Sequence, residues 1–338
     1  MAEIRVAVIG VGNVGATFVQ GVDYYSNSKN TVGLWHQKVA GFKPSDIKIV
    51  AAFDINPAKV GKNLAQVATE STRKYHEVKS SKVTVMPGLL LDKPNGQSNA
   101  TSAAEFGRQL EDSNADIVLN LISSGMDKTS AGYANAAFQA GAAFVNSTPA
   151  KIATNAAWAS KFAKKKMVLA GDDLLSQFGG TAFHKGMIDF IIERGVRVKK
   201  SYQLDVGGSE ETRKTMDERI KMAKRSMKTG SIGLEAPYKF ESVAGTTEYT
   251  DFLGDCRNSY YWMVSEGFLG SNIVMDLTLR TSDGANAGNV LLDVVRAAMA
   301  KGVNIKKAAE AINAYGFKNP AKKYRIRESY SNFVKMFT

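Results

Sequence analysis

Ile4-Arg-Val-Ala-Val-Ile-Gly-Val-Gly-Asn-Val-Gly15 decides the fold of this 338-residue chain. An apolar, β-branched run opens directly into G-x-G-x-x-G, and the apolar stretch Ala16 to Val22 follows. The glycines have separate tasks. Gly10 permits the sharp turn at the strand end. Gly12 lets the backbone approach a pyrophosphate. Gly15 lets the following helix pack tightly on the strand. The free N–H groups at the helix N-terminus, around Asn13 and Val14, then face phosphate charge. Strand, turn and helix in this order predict dinucleotide binding.

The second half of such a site is an acid ending the second strand, where it binds the adenosine ribose about 20 residues on. Nothing suitable stands at that distance. Tyr24 to Asp46 is polar and reads as an inserted excursion. The next strand is Ile47-Lys-Ile-Val-Ala-Ala-Phe-Asp54, which makes Asp54 the ribose candidate. A carboxylate here favours NAD over NADP, and Lys59 and Lys62 weaken that preference slightly. The competing reading of Asp54 is a strand-end helix cap.

The chain is long enough to bury a large core and to form two domains. Its hydrophobic content of 44% is spread evenly. No apolar run approaches the roughly 20 residues of a membrane span. The N-terminus enters a strand at once, so no signal peptide is expected. One cysteine, Cys256, excludes an intramolecular disulfide framework and fits a reducing cytoplasm. The net charge of +12 raises the question of nucleic acid. No RNP, KH or zinc pattern accompanies it, and a phosphorylated small molecule explains a lysine cluster equally well. His36, His76 and His184 lack paired metal-ligand spacing and read as structural or exposed, so no metal site is expected.

The first part of the chain alternates strand and helix. Ala115 to Ser123, Ala142 to Thr148 and Lys166 to Asp173 read as strands, and Ser130 to Ala140 as a helix. That rhythm predicts an α/β fold with a Rossmann-type doubly wound parallel sheet. Functional groups gather at the carboxyl ends of such strands. Gly10, Asp54, Ser123, Asn146 and Asp172 occupy these ends. After Gly195 the rhythm changes. Val196 to Val206, Tyr238 to Phe240, Ser259 to Val264 and Asn272 to Thr281 read as strands of a mainly antiparallel sheet, with a helix over 213–228. A helix beginning at Asn286 returns to the first domain. The expected division is a nucleotide domain of 1–194 plus 285–338, with an α+β domain of 195–284 inserted in it. The stretch 84–102, with Pro87, Pro94 and Gly96, reads as an exposed loop.

Met216, Ile220, Ala223 and Met227 form an apolar stripe at helical spacing. Lys221, Lys224 and Lys228 share a neighbouring face. Like charges at i,i+4, as at Lys224 and Lys228, cost a few tenths of a kcal/mol in an isolated helix. Asp217 offsets part of that through Lys221. Either this is a solvated basic face, or an anion repays the repulsion. Gly230 reads as lying just past the helix end.

Taken together these residues resemble the myo-inositol-1-phosphate synthase family, over nearly the whole chain. The resemblance runs through Gly10 to Gly15, Val19-Gln-Gly-Val-Asp-Tyr-Tyr25, Ala51-Ala-Phe-Asp-Ile55 and Asn146-Ser-Thr-Pro-Ala-Lys-Ile-Ala153. It continues through Gly171-Asp-Asp-Leu-Leu-Ser-Gln-Phe-Gly179, similar to Gly-Asp-Asp-x-Lys-Ser-Gln, and Leu204-Asp-Val-Gly-Gly208, similar to Leu-Asn-Val-Gly-Gly. Leu253-Gly-Asp255, Asp283-x-x-Asn286 and Phe317-Lys318-Asn-Pro320 match later motifs. The family carries an insertion that explains the late Asp54.

The resemblance implies that Lys224, Lys228, Arg257, Lys318 and Asp283 are catalytic. It implies that Gly10, Gly12, Asn13, Val14, Gly15, Asp54, Ser123, Ser147, Asp172 and Ser176 bind NAD. The implied reaction is a redox-neutral isomerisation of glucose 6-phosphate to an inositol phosphate. The C5 hydroxyl is oxidised, an enolate forms at C6, C6 attacks the C1 aldehyde, and the ketone is reduced again. Lysines at fixed positions stabilise the enolate and the alkoxide. A homotetramer in the cytoplasm is implied as well, assembled through the inserted sheet with its Tyr260, Trp262, Met263, Phe268, Ile273 and Val274. Leu175 and Arg257 depart from the family, which has lysines there. Arginine keeps the charge but is a poor proton donor. The chain also reads as short for the family.

Overall fold

The fold comes from a computed structural model, in which residues 3–70, 74–92 and 100–338 are described. The chain runs β1 (Ile4–Ile9), α1 (Asn13–Asn27), β2 (Ile47–Asp54), α2 (Leu64–Glu70), β3 (Val85–Pro87) and α3 (Ala103–Asp112). It continues with β4 (Ile117–Asn120), α4 (Asp127–Gln139), β5 (Ala143–Asn146), α5 (Ala156–Lys164) and β6 (Leu169–Ala170). These strands make a six-stranded sheet in the order β3-β2-β1-β4-β5-β6, and every pairing is parallel. This is the doubly wound order, in which the direction of winding reverses between β1 and β4. The central strands are buried on both faces, which is why they read as unbroken apolar runs.

There follow α6 (Gly180–Glu193), β7 (Arg197–Gly207), α7 (Glu210–Lys214), α8 (Glu218–Gly233), β8 (Glu241–Tyr249), β9 (Cys256–Glu266) and β10 (Asn272–Ser282). Their strands form a four-stranded sheet in the order β10-β9-β7-β8. The β10–β9 and β9–β7 pairings are antiparallel and β7–β8 is parallel. The chain closes with α9 (Asp283–Ala298), α10 (Ile305–Gly316) and α11 (Ile326–Phe337). Helix α9 returns to the first sheet. Val290, Leu291 and Val294 join one core with Val6, Val8 and Phe18. The approach to α1 is close, because a Cβ on Gly288 would fall 3.1 Å from the Phe18 backbone nitrogen.

Several local expectations need correction. Tyr238 to Phe240 is not a strand. The strand begins at Glu241 and runs to Tyr249 through polar residues and a glycine, as an edge strand does. The lysine helix is broken at Thr215–Asp217. The Asp217 side chain caps α8 through the N–H groups of Arg219 and Ile220. Gly230 lies inside α8 rather than beyond it, and Met216 precedes it. The stretch from 84 begins with β3, and Leu89 is buried. Pro94 and Gly96 lie outside the described residues. Helix α6, expected with the first sheet, packs Ile188 and Ile191 into the core of the second sheet with Val198, Ile232 and Met263. Met263 therefore faces this interior core, not a partner.

The excursion after α1 is an ordered strap across α9. Arg296 is fully buried and donates to the carbonyls of His36, Gln37 and Phe42. His36 Nδ1 lies 2.6 Å from Asp293 Oδ2, and His76 Nε2 lies 2.7 Å from Asp23 Oδ2. His184 is buried against Ser201 and Gln203, and burial pushes its pKa down to about 4.

Candidate active site

A cleft of about 570 Å³ opens at the carboxyl ends of β1 and β4 and is lined from both sheets. At the nucleotide end the glycines behave as steric reasoning requires. Gly10 has φ +89°, and a Cβ on Gly15 would fall 2.3 Å from the Gly10 carbonyl oxygen. At Gly12 nothing lies within 4 Å of the Cβ position, so the cleft comes right up to the backbone. Gly12 also N-caps α1 without any side-chain cap, which leaves the first N–H groups of the helix for a ligand.

Asp54 caps no helix; it ties the glycine turn to the turn after β2. Its Oδ2 accepts from Val11 N at 2.9 Å, and its Oδ1 accepts from Ile55 N at 2.8 Å and Asn56 N at 2.9 Å. The carboxylate is thus fixed by turn N–H groups while still lining the cleft. Lys59 Nζ lies 3.8 Å from it and donates to the Val11 carbonyl at 2.7 Å. Asn13, Val14, Ser123, Ser147 and Ser176 line the same cleft.

Gly15 and Asp172 do not line it. Gly15 is packed against Gly10. Asp172 is fully buried and accepts from Asn146 Nδ2 and from the backbone N–H groups of Ile152, Ala153 and Thr154. It shapes the loop after β5. Its neighbour Asp173 is the one that lines the cleft.

At the other end the basic residues converge from different elements. Lys224 pairs with Glu211 and donates to Thr215 Oγ1 at 3.1 Å. Lys228 Nζ lies 2.6 Å from Asp205 Oδ2. Arg257 grips Asp283, and its Nη1 lies 3.4 Å from Asp205 Oδ2. Lys318 Nζ lies 2.8 Å from Asp173 Oδ1. All of these residues line the cleft, so Lys224 and Lys228 are not a solvated face. Leu175 is buried at the cleft wall, and its backbone N–H donates to the Gly316 carbonyl at 2.8 Å.

The carboxylates were not foreseen as partners. Asp205, Glu211 and Asp173 neutralise the lysines, and Asp255 sits between the two ends of the cleft. Asp255 Oδ1 accepts from Asn13 Nδ2 at 2.7 Å, and its Oδ2 is buried without a hydrogen-bond partner. Burial, reinforced by the nearby Asp283, pushes its pKa up to about 6. Burial opposes ionisation of Asp205, but Lys228 and Arg257 outweigh it and hold that carboxyl well below the usual range. Burial also lowers the Lys228 ammonium from its ordinary value, against the pull of Asp205. Lys214, at the end of α7, lines the cleft with no ion pair among the described residues.

Comparisons with known proteins point to one family. The profile of the myo-inositol-1-phosphate synthase family matches residues 179–284. An inositol-3-phosphate synthase of Corynebacterium glutamicum is 34% identical, over 88% of this chain and 87% of that protein. One from Mycolicibacterium smegmatis is 32% identical, over 95% of this chain and 94% of that protein. The chain is therefore not markedly shorter than these relatives. The crystal structure of a myo-inositol-1-phosphate synthase-related protein from Thermotoga maritima superposes with a TM-score of 0.78 over 98% of both chains, at 20% identity, and supports the fold. On these grounds the chain belongs to the myo-inositol-1-phosphate synthase family.

Proposed function

We infer that the protein converts D-glucose 6-phosphate to 1D-myo-inositol 3-phosphate with NAD as a recycled cofactor. The observation that carries this reading is the meeting, in one cleft, of the open turn at Gly12 with Lys224, Lys228 and Lys318. The turn, the N-terminus of α1 and Asp54 would hold NAD, which when bound would supply the hydride acceptor and later the donor. Asp54 suits it because a carboxylate accepts from both ribose hydroxyls and repels a 2′-phosphate.

The chain's own residues do the rest. Among the described residues, Lys214 is the cleft cation free to take the substrate phosphate, since Lys224, Lys228, Arg257 and Lys318 already have carboxylate partners. Lys224, Lys228 and Lys318 face the reacting carbons. Their ammonium groups stabilise an enolate and then an alkoxide, and Asp205, Glu211 and Asp173 hold them in place so that little reorganisation is needed as charge develops. Arg257 adds fixed charge without exchanging protons. Asp255, with its unpartnered oxygen, is placed to hold a proton near the nucleotide end.

Leu175, Asp205 and Arg257 support a second reading, in which a related carbocycle-forming or redox reaction acts on another sugar phosphate. Leu175 removes a positive charge and Asp205 adds a negative one relative to the family motifs, which alters what anion the cleft favours. Phosphorus and proton NMR of the product formed with glucose 6-phosphate and NAD+ separates the two readings. An inositol phosphate supports the first. Unchanged substrate, with turnover of another sugar phosphate, supports the second.

We also infer assembly into a homotetramer. Leu204, Tyr260 and Val274 are exposed on one face of the second sheet, where Tyr202 stacks on Trp262 at 5.3 Å. An apolar, aromatic sheet face of this kind is suited to burial against a second copy.

A further inference from the structure

The Asp205 carboxylate has each of its hydrogen-bonding positions filled. Oδ1 accepts from Gln203 Nε2 at 2.7 Å and from Ser259 Oγ at 2.6 Å. Oδ2 takes Lys228 Nζ at 2.6 Å and Arg257 Nη1 at 3.4 Å. A carboxylate offers about four lone-pair sites, so this one is saturated. The N-terminus of α6 closes over it. A Cβ on Gly180 would fall 2.5 Å from Gln203 Nε2 and 3.3 Å from Asp205 Oδ1. That end of the helix carries partial positive charge and favours an anion there.

Two residues of this group differ from the family motifs set out above. Asp205 stands where the motif has asparagine, and Arg257 stands where the family has a lysine. Physical chemistry couples the two changes. A lysine at 257 can relieve crowding with Lys228 by releasing its proton, so a neutral amide at 205 suffices beside it. An arginine cannot be deprotonated. With arginine at 257, an amide at 205 would leave two buried cations, with Asp283 in contact with Arg257 and no acid in contact with Lys228. The guanidinium also spans both acids at once, through Nη1 to Asp205 and through Nε at 2.6 Å to Asp283. A single ammonium does not offer that fork.

We propose that Asp205 is a positioning residue matched to Arg257: it keeps Lys228 charged and aimed into the cleft against the opposing charge of Arg257. The charged groups facing Lys228 are Asp205 of β7, Arg257 of β9, Lys318 beyond α10, and Lys224 one turn earlier on α8. Glu211 of α7 faces it through Lys224, and Asp283 of α9 faces it through Arg257. His184 of α6 contacts the same group through Gln203 and is neutral at physiological pH. Asp205 is the acid in direct contact with Lys228. The role of the ammonium in turnover rests on the function inferred above, but its protonation does not.

The test therefore reads both. Competitive acetylation of Lys228 by acetic anhydride, followed peptide by peptide with mass spectrometry across pH, gives its titration midpoint without any substrate. It is applied to the full chain, to Asp205→Asn, to Arg257→Lys and to the double variant. Loss of an opposite charge at this distance shifts a midpoint by about one to three pH units. The expected result is a fall of that size in Asp205→Asn, a return toward the parent value in the double variant, and little change in Arg257→Lys. The pH profile of kcat follows the same order if glucose 6-phosphate is turned over. A midpoint unmoved by Asp205→Asn overturns the proposal, whatever the substrate proves to be. If Asp205→Asn does not fold, a folded double variant supports the pairing, and a double variant that is equally unfolded overturns it. A midpoint that shifts as expected without turnover of glucose 6-phosphate supports the pairing and counts against the inferred substrate.

Discussion

Arg257 holds Asp283 through two nitrogens, Nε at 2.6 Å and Nη2 at 2.5 Å. The pair joins β9 of the second sheet to the first residue of α9, the helix that packs on α1 beside the glycine turn. The seam between the two sheets is therefore a charged contact at the floor of the cleft. Asp205 and Lys228 extend it into a buried network in which Asp205 is held by four donors.

Replacing Lys224, Lys228 or Lys318 by alanine is expected to remove most turnover while NAD+ binding persists. Losing one charge-assisted contact to an anionic transition state costs about 2.7–4 kcal/mol, or roughly 10² to 10³ in rate. Steady-state kinetics with calorimetry for NAD+ checks this, with thermal unfolding run in parallel. Lys228→Ala leaves Asp205 with Arg257, Gln203 and Ser259, so the carboxylate is not stranded. Undiminished turnover in all three variants would remove these lysines from the active site.

The cofactor preference is read by calorimetric titration. NAD+ is expected to bind more tightly than NADP+, because a ribose bound beside the glycine turn would meet Asp54, a carboxylate already fixed by Val11, Ile55 and Asn56. Equal or tighter binding of NADP+ would contradict it. Such a result would point to Lys59, whose ammonium lies 3.8 Å from Asp54, as the group that accommodates the extra phosphate.

The glycine turn was legible in the sequence because its logic is local. Three glycines, a strand and a helix start lie within a dozen residues and need no distant partner. The lysine positions were legible through the family motifs, but their partners were not. Asp205 lies on β7, Asp173 follows β6 and Glu211 lies on α7, and only the fold brings them to α8 and to Lys318. Asp172 illustrates the same limit. Two adjacent acids follow β6, and nothing local says that Asp172 turns into the loop at Ile152–Thr154 while Asp173 faces the cleft. Strand β8 was missed because Glu241-Ser-Val-Ala-Gly-Thr-Thr-Glu-Tyr249 lacks the alternation that marks a half-buried strand.

Asp255 sets a pH dependence of stability. Its folded value of about 6 lies above the ordinary 3.8, because burial and Asp283 disfavour the ionised form. The folded state therefore binds this proton more tightly than the unfolded chain. The stabilisation is full below the ordinary value and is lost as pH rises through about 6. Asp255→Asn is expected to flatten the part of the fall in Tm that lies between about pH 4 and pH 7. Melting curves for the two proteins that stay parallel across that window would rule out this assignment.

Assembly is tested by light scattering at micromolar concentration. The parent is expected to be a tetramer, and Trp262→Glu, which puts charge on the aromatic face of the second sheet, is expected to lower the mass. A monomeric parent would contradict the inferred assembly.

The central claim is a ring closure in which the hydride taken from the substrate is returned to it. Glucose 6-phosphate deuterated at C5, incubated with a catalytic amount of NAD+ and followed by proton and phosphorus NMR, tests it most directly. The account predicts a non-reducing carbocyclic phosphate monoester that retains the deuterium on a ring carbon, with no accumulation of reduced cofactor. Product lacking the label, net formation of reduced cofactor, or untouched glucose 6-phosphate would contradict it.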